Sequence, residues 1–91
     1  VYNSASSSPS MNNVTATATD GTNSYGVHNA NSSPTIRNSS ITGTTNSIVN
    51  FGSTAQVADT ALGGGVAGSG FTCVGAYTTA FVALDDTCTL G

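Results

Sequence analysis

The chain has 91 residues and a formal net charge of −3, with Arg37 as its only Lys or Arg. Nucleic acids and anionic membranes are bound through many cations, so this composition argues against both as partners. No apolar run approaches the ~20 residues of a membrane-spanning helix, so no membrane insertion is expected.

Ser, Thr and Asn supply 37 of the 91 residues, a bias found in disordered segments as well as in repeat proteins. The apolar residues decide between the two, because they recur in register. Residues 27–43, VHNANSSPTIRNSSITG, match residues 48–64 at a spacing of 21, and residues 1–16 match them at a spacing of 25 or 26. This period predicts a solenoid whose short strands turn at Asn, Gly, Ser and Pro.

The first predicted coil spans residues 1–26. Met11 is expected to point inward, and Asn13 to turn the chain in the left-handed conformation that Asn tolerates. The pattern is already under way at Val1, without residues that could cap it. We therefore expect an upstream part of the same solenoid, or a neighbouring subunit, to cover that side.

The second and third coils are predicted at residues 27–47 and 48–65. In the second coil, PTIRNSSITG places an inward Ile36, an outward Arg37 and then Asn38 before another apolar strand. This pattern resembles the coils of the right-handed parallel β-helix of the pectin-lyase type. The resemblance implies an all-β, right-handed parallel β-helix (β-solenoid) of about three to four coils. That architecture carries polysaccharide lyases and hydrolases, phage tailspikes and adhesins, so it implies no single activity.

Equivalent residues of stacked coils lie ~4.8 Å apart, so the repeat predicts columns of like side chains. The predicted apolar columns are Val1, Val27, Ile48 and Phe71, and Met11, Ile36 and Val57. The predicted polar ladders are Asn3, Asn29 and Asn50, and Asn13 and Asn38 ending in Asp59. Ladders of this kind gain hydrogen bonds along the stack, so their expected role is structural.

From Gly63 the repeat gives way to glycines and then to the aromatic segment 71–84, FTCVGAYTTAFVAL. Residues 66–91 are therefore predicted to form a C-terminal cap over the last coil, as solenoids require. Cys73 and Cys88 are the only cysteines. A disulfide between them would close a loop of about 15 residues, worth ~3 kcal/mol in the chain-entropy estimate.

Few residues suit a catalytic or metal site. His28 is the only imidazole, and we expect it to be solvated, because a metal site needs several ligands. Residues 63–68 fit G-x-G-x-x-G but precede a predicted strand, not the helix that a dinucleotide site needs. Hydrolysis of a polysaccharide requires paired carboxylates, and Asp20 and Asp59 fall at different corners of different coils. We expect no catalytic residue, cofactor or metal.

The sequence favours a non-enzymatic extracellular β-solenoid, part of a fibre, filament, adhesin or tailspike-like assembly. Its expected partners are copies of itself stacked head to tail, the upstream part of the same solenoid, and glycans. Two cysteines and three N-glycosylation sequons, at Asn13, Asn31 and Asn38, suit an extracellular or cell-surface setting.

Two alternative functions stay open. One is a polysaccharide-binding or polysaccharide-degrading domain of the pectin-lyase type. The other is an ice-binding solenoid, because a flat array of hydroxyls could order water. The hydroxyls in question belong to Thr15, Thr17 and Thr19, with Ser40, Thr42 and Thr44 in the next coil.

Overall fold

The computed structural model describes residues 1–90, which form twelve β-strands and no helix. In chain order the strands are β1 (Tyr2–Asn3), β2 (Ser10–Asn12), β3 (Thr15–Ala18), β4 (Tyr25–Ala30), β5 (Thr35–Arg37), β6 (Ser40–Gly43), β7 (Asn46–Phe51), β8 (Ala55–Ala58), β9 (Ala61–Gly63), β10 (Val66–Ala67), β11 (Phe71–Val74) and β12 (Tyr77–Thr78). Buried and exposed residues alternate along many of them. In β5, Ile36 is buried between half-buried Thr35 and exposed Arg37, a pattern typical of strands with one inward face.

The twelve strands pair in parallel within three sheets of four strands each. The first sheet has the order β1-β4-β7-β10, the second β2-β5-β8-β11 and the third β3-β6-β9-β12. Each coil thus contributes one strand to each sheet, and the chain winds through four coils. The predicted all-β solenoid with a disulfide between Cys73 and Cys88 is confirmed.

The strand register in the first three coils follows the sequence repeat. Met11 lies opposite Ile36, and Ile36 lies opposite Val57. The apolar residues with 0 % exposure are Val27, Ile36, Ile41, Ile48 and Ala55. Full burial of a Val or Ile side chain contributes roughly 1.5–3 kcal/mol, so these columns hold the coils together.

The predicted column from Val1 to Phe71 differs from the structure at both of its ends. Val66, not Phe71, lies opposite Ile48, and Val1 is 54 % exposed. Phe71 is buried in the second sheet, opposite Ala55. The reason is a shorter last coil: the offset is 66 − 48 = 18 residues in the first sheet and 71 − 55 = 16 in the second.

The fourth coil consists of residues that the sequence analysis assigned to the cap. Strands β10 to β12 extend all three sheets, so the cap begins after Thr78 and comprises residues 79–90. Gly64, Gly68 and Gly70 have positive φ angles, and a side chain at position 68 would collide with the carbonyl oxygen of Asn50. The glycine run therefore forms tight corners and does not end the repeat.

Candidate functional site

A ladder of amides runs through the interior beside the first sheet. Asn3 Nδ2 donates to Asn29 Oδ1 at 2.9 Å, and Asn29 Nδ2 donates to Asn50 Oδ1 at 2.8 Å. Asn50 Nδ2 in turn donates to the carbonyl oxygen of Ser69 at 3.0 Å. The three asparagines are buried, and Asn29 has 0 % exposure. Because an unpaired buried amide costs about 1–3 kcal/mol, this ladder helps to fix the register of the coils.

The corner between the second and third sheets is left-handed in every coil. Asn13, Asn38 and Asp59 have φ angles of 57°, 49° and 48°, and Gly75 takes 69° in the fourth coil. The backbone N–H groups of the first three donate to carbonyl oxygens of the following coil at 3.0 to 3.2 Å. Asn, Asp and Gly are the residues that adopt this conformation at least cost.

The side-chain ladder predicted for this corner is replaced by a different arrangement. Asn13, Asn38 and Asp59 are exposed, and Asn38 Nδ2 donates to Asn12 Oδ1 at 3.4 Å. The physical reason is that these residues serve the left-handed backbone of the corner, and their side chains extend into solvent. Only the backbone groups stack at these positions.

Buried hydroxyls that the sequence analysis did not single out lie directly after these corners. Ser39 Oγ donates to the carbonyl oxygen of Arg37 at 2.7 Å and accepts from the N–H of Val14 at 3.1 Å. Thr60 Oγ1 makes the same pair of bonds one coil further on, donating at 2.8 Å and accepting at 3.4 Å. Each hydroxyl thus satisfies a carbonyl of its own coil and an amide of the preceding one.

The corner between the first and second sheets uses the same device. Ser53 Oγ donates to the carbonyl oxygen of Phe51 and accepts from the N–H of Ser32, both at 3.1 Å. A signal for these hydroxyls exists in the sequence, because each one follows a left-handed residue and recurs after 21 residues. The pairs are Asn31-Ser32 and Gly52-Ser53, and Asn38-Ser39 and Asp59-Thr60.

The asparagines of the three sequons all occupy exposed corner positions. Asn13, Asn31 and Asn38 have φ angles of 57°, 53° and 49°, and each is exposed. Their side chains are therefore accessible on the folded chain. Glycosylation at these asparagines stays a prediction.

The cap covers the free edges of two strands at what we call the upper end of the solenoid. Cys73 in β11 is bonded to Cys88, with their Cα atoms 5.5 Å apart. The N–H of Cys73 donates to the carbonyl oxygen of Asp86 at 2.8 Å, so the tail occupies the edge of β11. Tyr77 forms an antiparallel bridge with Ala83, which covers the edge of β12.

Asp85 organises the tail of the cap. Its Oδ1 accepts from the hydroxyl and the N–H of Thr87, at 2.7 and 2.9 Å, and from both groups of Thr89, at 3.0 Å. These hydrogen bonds, led by the Thr87 hydroxyl, hold the pKa of the Asp85 carboxyl well below its usual range. Thr87 and Thr89 are thus tied to one carboxylate beside Cys88.

The lower end of the solenoid, formed by β1, β2 and β3, consists of free strand edges. Each of these strands is the last strand of its sheet. In β3, the carbonyl groups of residues 14 and 18 accept hydrogen bonds from the second coil. Thr15 and Thr17 alternate with those positions, so their N–H and C=O groups point away from the sheet. The two ends of the molecule therefore differ.

Among residues 1–90, no group of three or more His, Cys, Asp or Glu could hold a metal ion. No helix long and apolar enough to cross a membrane occurs in this part of the chain. No protein-family model, curated protein or solved structure matches the chain. Its function is therefore inferred from the ends and faces of the solenoid.

The hydroxyls proposed for ice binding lie on the outer face of the third sheet. Thr17 is exposed and lies opposite half-buried Thr42. The next residue in this column is Gly63, opposite Thr42. The hydroxyl array therefore extends over two coils of this column and ends at the third.

An aromatic cluster on the outer face of the first sheet surrounds the single histidine. The His28 ring centroid lies 5.0 Å from that of Tyr2, 5.6 Å from that of Tyr25 and 5.3 Å from that of Phe51. Tyr2 and Phe51 are 63 % and 59 % exposed. The sequence analysis missed this cluster, although Tyr2 and His28 are 26 residues apart and share the register of the first two coils.

Proposed function

We propose that this chain is the closed end of an extracellular, non-enzymatic β-solenoid that works as a structural or surface element. A fibre, filament, adhesin or tailspike-like assembly would use such a piece. The observation that supports this most is the difference between the two ends. The cap covers β11 and β12, whereas β1, β2 and β3 present free edges, so one end is finished and the other is able to continue the stack.

The free edges at the lower end form a template for further strands. Natural proteins usually block a strand edge with charged side chains, prolines or bulges. The sequences of β1, β2 and β3 are YN, SMN and TATA, without a charged residue. An added coil at a spacing of ~4.8 Å would therefore meet no like charge from these strands.

The element proposed to cover this end is another solenoid coil, from the same polypeptide or from a second subunit. Asn3 begins the amide ladder by donating to Asn29, and an Asn in a preceding coil could donate to Asn3 in the same way. Head-to-tail stacking of identical copies is the less favoured arrangement, because the carbonyl of Asp86 already occupies the N–H of Cys73.

A non-enzymatic role is proposed because the acidic residues have structural surroundings. Asp20 and Asp59 occupy left-handed turns, with φ angles of 64° and 48°. Asp85 is engaged by two threonines of the tail. The resemblance to the pectin-lyase type thus has its support in the three parallel sheets, and the extracellular setting has its support in the disulfide.

A proline at the lower edge tests the proposal. The N–H of Thr17 points away from the sheet, so Thr17→Pro removes a free donor and no ladder bond. Thr17→Val is the matched control, because it keeps the N–H and the approximate shape. Light scattering and electron microscopy of the native chain should show assemblies that Thr17→Val retains and Thr17→Pro reduces to monomers. Monomers for all three proteins at every concentration would contradict the proposal.

A further inference from the structure

The aromatic cluster of Tyr2, Tyr25, His28 and Phe51 takes no part in the role proposed above. His28 lies between buried Val27 and buried Asn29 in β4, so its ring is on the outer face of the first sheet. The cluster extends over β1, β4 and β7, a height of ~10 Å for two inter-strand steps. It is therefore a raised platform on an otherwise hydroxyl- and amide-rich surface.

A wide, open groove of about 650 Å³ adjoins the platform and leads toward the third sheet. None of its ten lining residues is Lys, Arg, Asp or Glu. An anionic ligand would find no basic side chain in this groove, and a cationic ligand no carboxylate. The ring-bearing and polar side chains that line it are Tyr2, Tyr25 and His28 on the platform side, with Thr17, Thr19 and Asn23.

We propose that this face binds a neutral carbohydrate chain. A sugar ring presents polarised C–H groups on one face and hydroxyls around its rim. The C–H groups are attracted to the negative face of an aromatic ring. The rim hydroxyls donate to and accept from side chains such as Thr17 and Asn23. The platform and the groove together supply both kinds of contact.

The platform is held in place before any ligand arrives. Tyr2 and Tyr25 each meet the His28 ring at an interplanar angle of 79°, an edge-to-face contact. The strands that carry these rings are fixed by the buried ladder of Asn3, Asn29 and Asn50. Side chains that are already ordered lose little entropy on binding, which favours affinity.

The size of the platform favours a small ligand over a protein surface. A standard protein interface buries ~800 Å² on each partner. The cluster has four rings, and Tyr25 and His28 are half-buried, so it falls well short of that area. A stretch of a few sugar units is matched to it.

Affinity electrophoresis in gels containing hydroxyethylcellulose, laminarin or galactomannan tests the proposal, with acidic polygalacturonate as a fourth gel. Phe51→Ser removes one ring of the platform. Phe81→Ser is the matched control, because Phe81 is 86 % exposed and stacks on Tyr77 in the cap. We expect at least one neutral gel to retard the native chain. In that gel Phe51→Ser should raise the dissociation constant about three- to tenfold, as for the loss of one aromatic contact, and Phe81→Ser should leave it unchanged.

Tyr25→Ala provides a second platform variant if Phe51→Ser does not fold, as judged by circular dichroism. Four results would overturn the proposal: no retardation in any neutral gel, retardation by polygalacturonate alone, equal weakening by Phe51→Ser and Phe81→Ser, or a dimer of the native chain that Phe51→Ser abolishes. The last result would identify a second copy as the occupant. The edge variant Thr17→Pro tests the proposed structural role separately, because Thr17 assembly and platform binding have different readouts.

Discussion

Asn29 is the residue on which the amide ladder depends, since it both accepts from Asn3 and donates to Asn50. Asn29→Ala should lower the free energy of unfolding by roughly 2–5 kcal/mol, because two hydrogen bonds are lost and both neighbours keep unpaired buried groups. Urea denaturation measures the change. Asn12→Ala is the control, since Asn12 is exposed and only accepts a 3.4 Å bond. Similar losses for both variants would show that the ladder does not stabilise the stack.

Asn38 has a residue-scale role set by its backbone, with a φ angle of 49°. Asn38→Ala should cost about 1–2 kcal/mol, the penalty of a left-handed residue with an ordinary Cβ. Asn38→Gly should cost little, because glycine adopts this conformation freely. Arg37→Ala, at an exposed position one residue away, should also be nearly neutral. An Asn38→Gly variant as unstable as Asn38→Ala would mean that the side chain matters more than the corner.

Asp85 gives the cap a dependence on pH. Hydrogen bonds from Thr87 and Thr89 hold its pKa below the ordinary value of 3.8, so the ionised form is favoured in the folded state. Its contribution to stability is therefore complete above pH 3.8 and is lost as the pH falls toward the folded-state pKa. Thermal unfolding between pH 2 and pH 6 should show this loss in the native chain and a smaller acid dependence in Asp85→Asn. Identical pH profiles would contradict the assignment.

The sequence predicted those residues whose side chains repeat in register. Met11, Ile36 and Val57, and likewise Asn3, Asn29 and Asn50, stack where a constant offset places them. The backbone conformation of a corner is less visible in the sequence. The same Asn that supports a ladder in a strand only permits a turn at a corner, which is why Asn13, Asn38 and Asp59 were misread.

At the scale of elements, the shortening of the last coil was the feature that the sequence concealed. The offset falls from 21 residues to 18 and 16 because glycines make tighter corners. A fixed period therefore misses β10 to β12. The aromatic segment read as a cap is in large part the fourth coil, and its Phe71 and Cys73 are core residues.

The disulfide stabilises the cap, and through it the upper edge of β11. Replacing Cys73 and Cys88 by Ser should lower the free energy of unfolding by ~3 kcal/mol for a loop of this length. The cost should appear first as fraying of residues 79–90, since Asp86 covers the edge of β11. Thermal unfolding of the native and doubly substituted chains measures the loss. Cap resonances that are unchanged in the variant would contradict a stapling role.

At the scale of the whole molecule, each coil contacts only its neighbours, so stability is the sum of coil terms and interface terms. The second and third coils have a neighbour on both sides. The fourth has the third coil and the cap, and the first has the second coil alone. The molecule should therefore open from its lower end.

Amide hydrogen exchange tests this order of opening with a matched pair of residues. Thr17 and Thr42 lie opposite each other in β3 and β6. The N–H of Thr42 belongs to the ladder that also joins Ser40 to Val14, whereas the N–H of Thr17 points away from the sheet. In dilute monomer, Thr17 should exchange at nearly the rate of an unfolded chain, and Thr42 should be protected through most of the stability of the fold. In the assembled state Thr17 should become protected, because an added strand supplies its acceptor. Protection of Thr17 equal to that of Thr42 in the dilute monomer would show that the lower edge is already covered, and the proposal of a free end would fail.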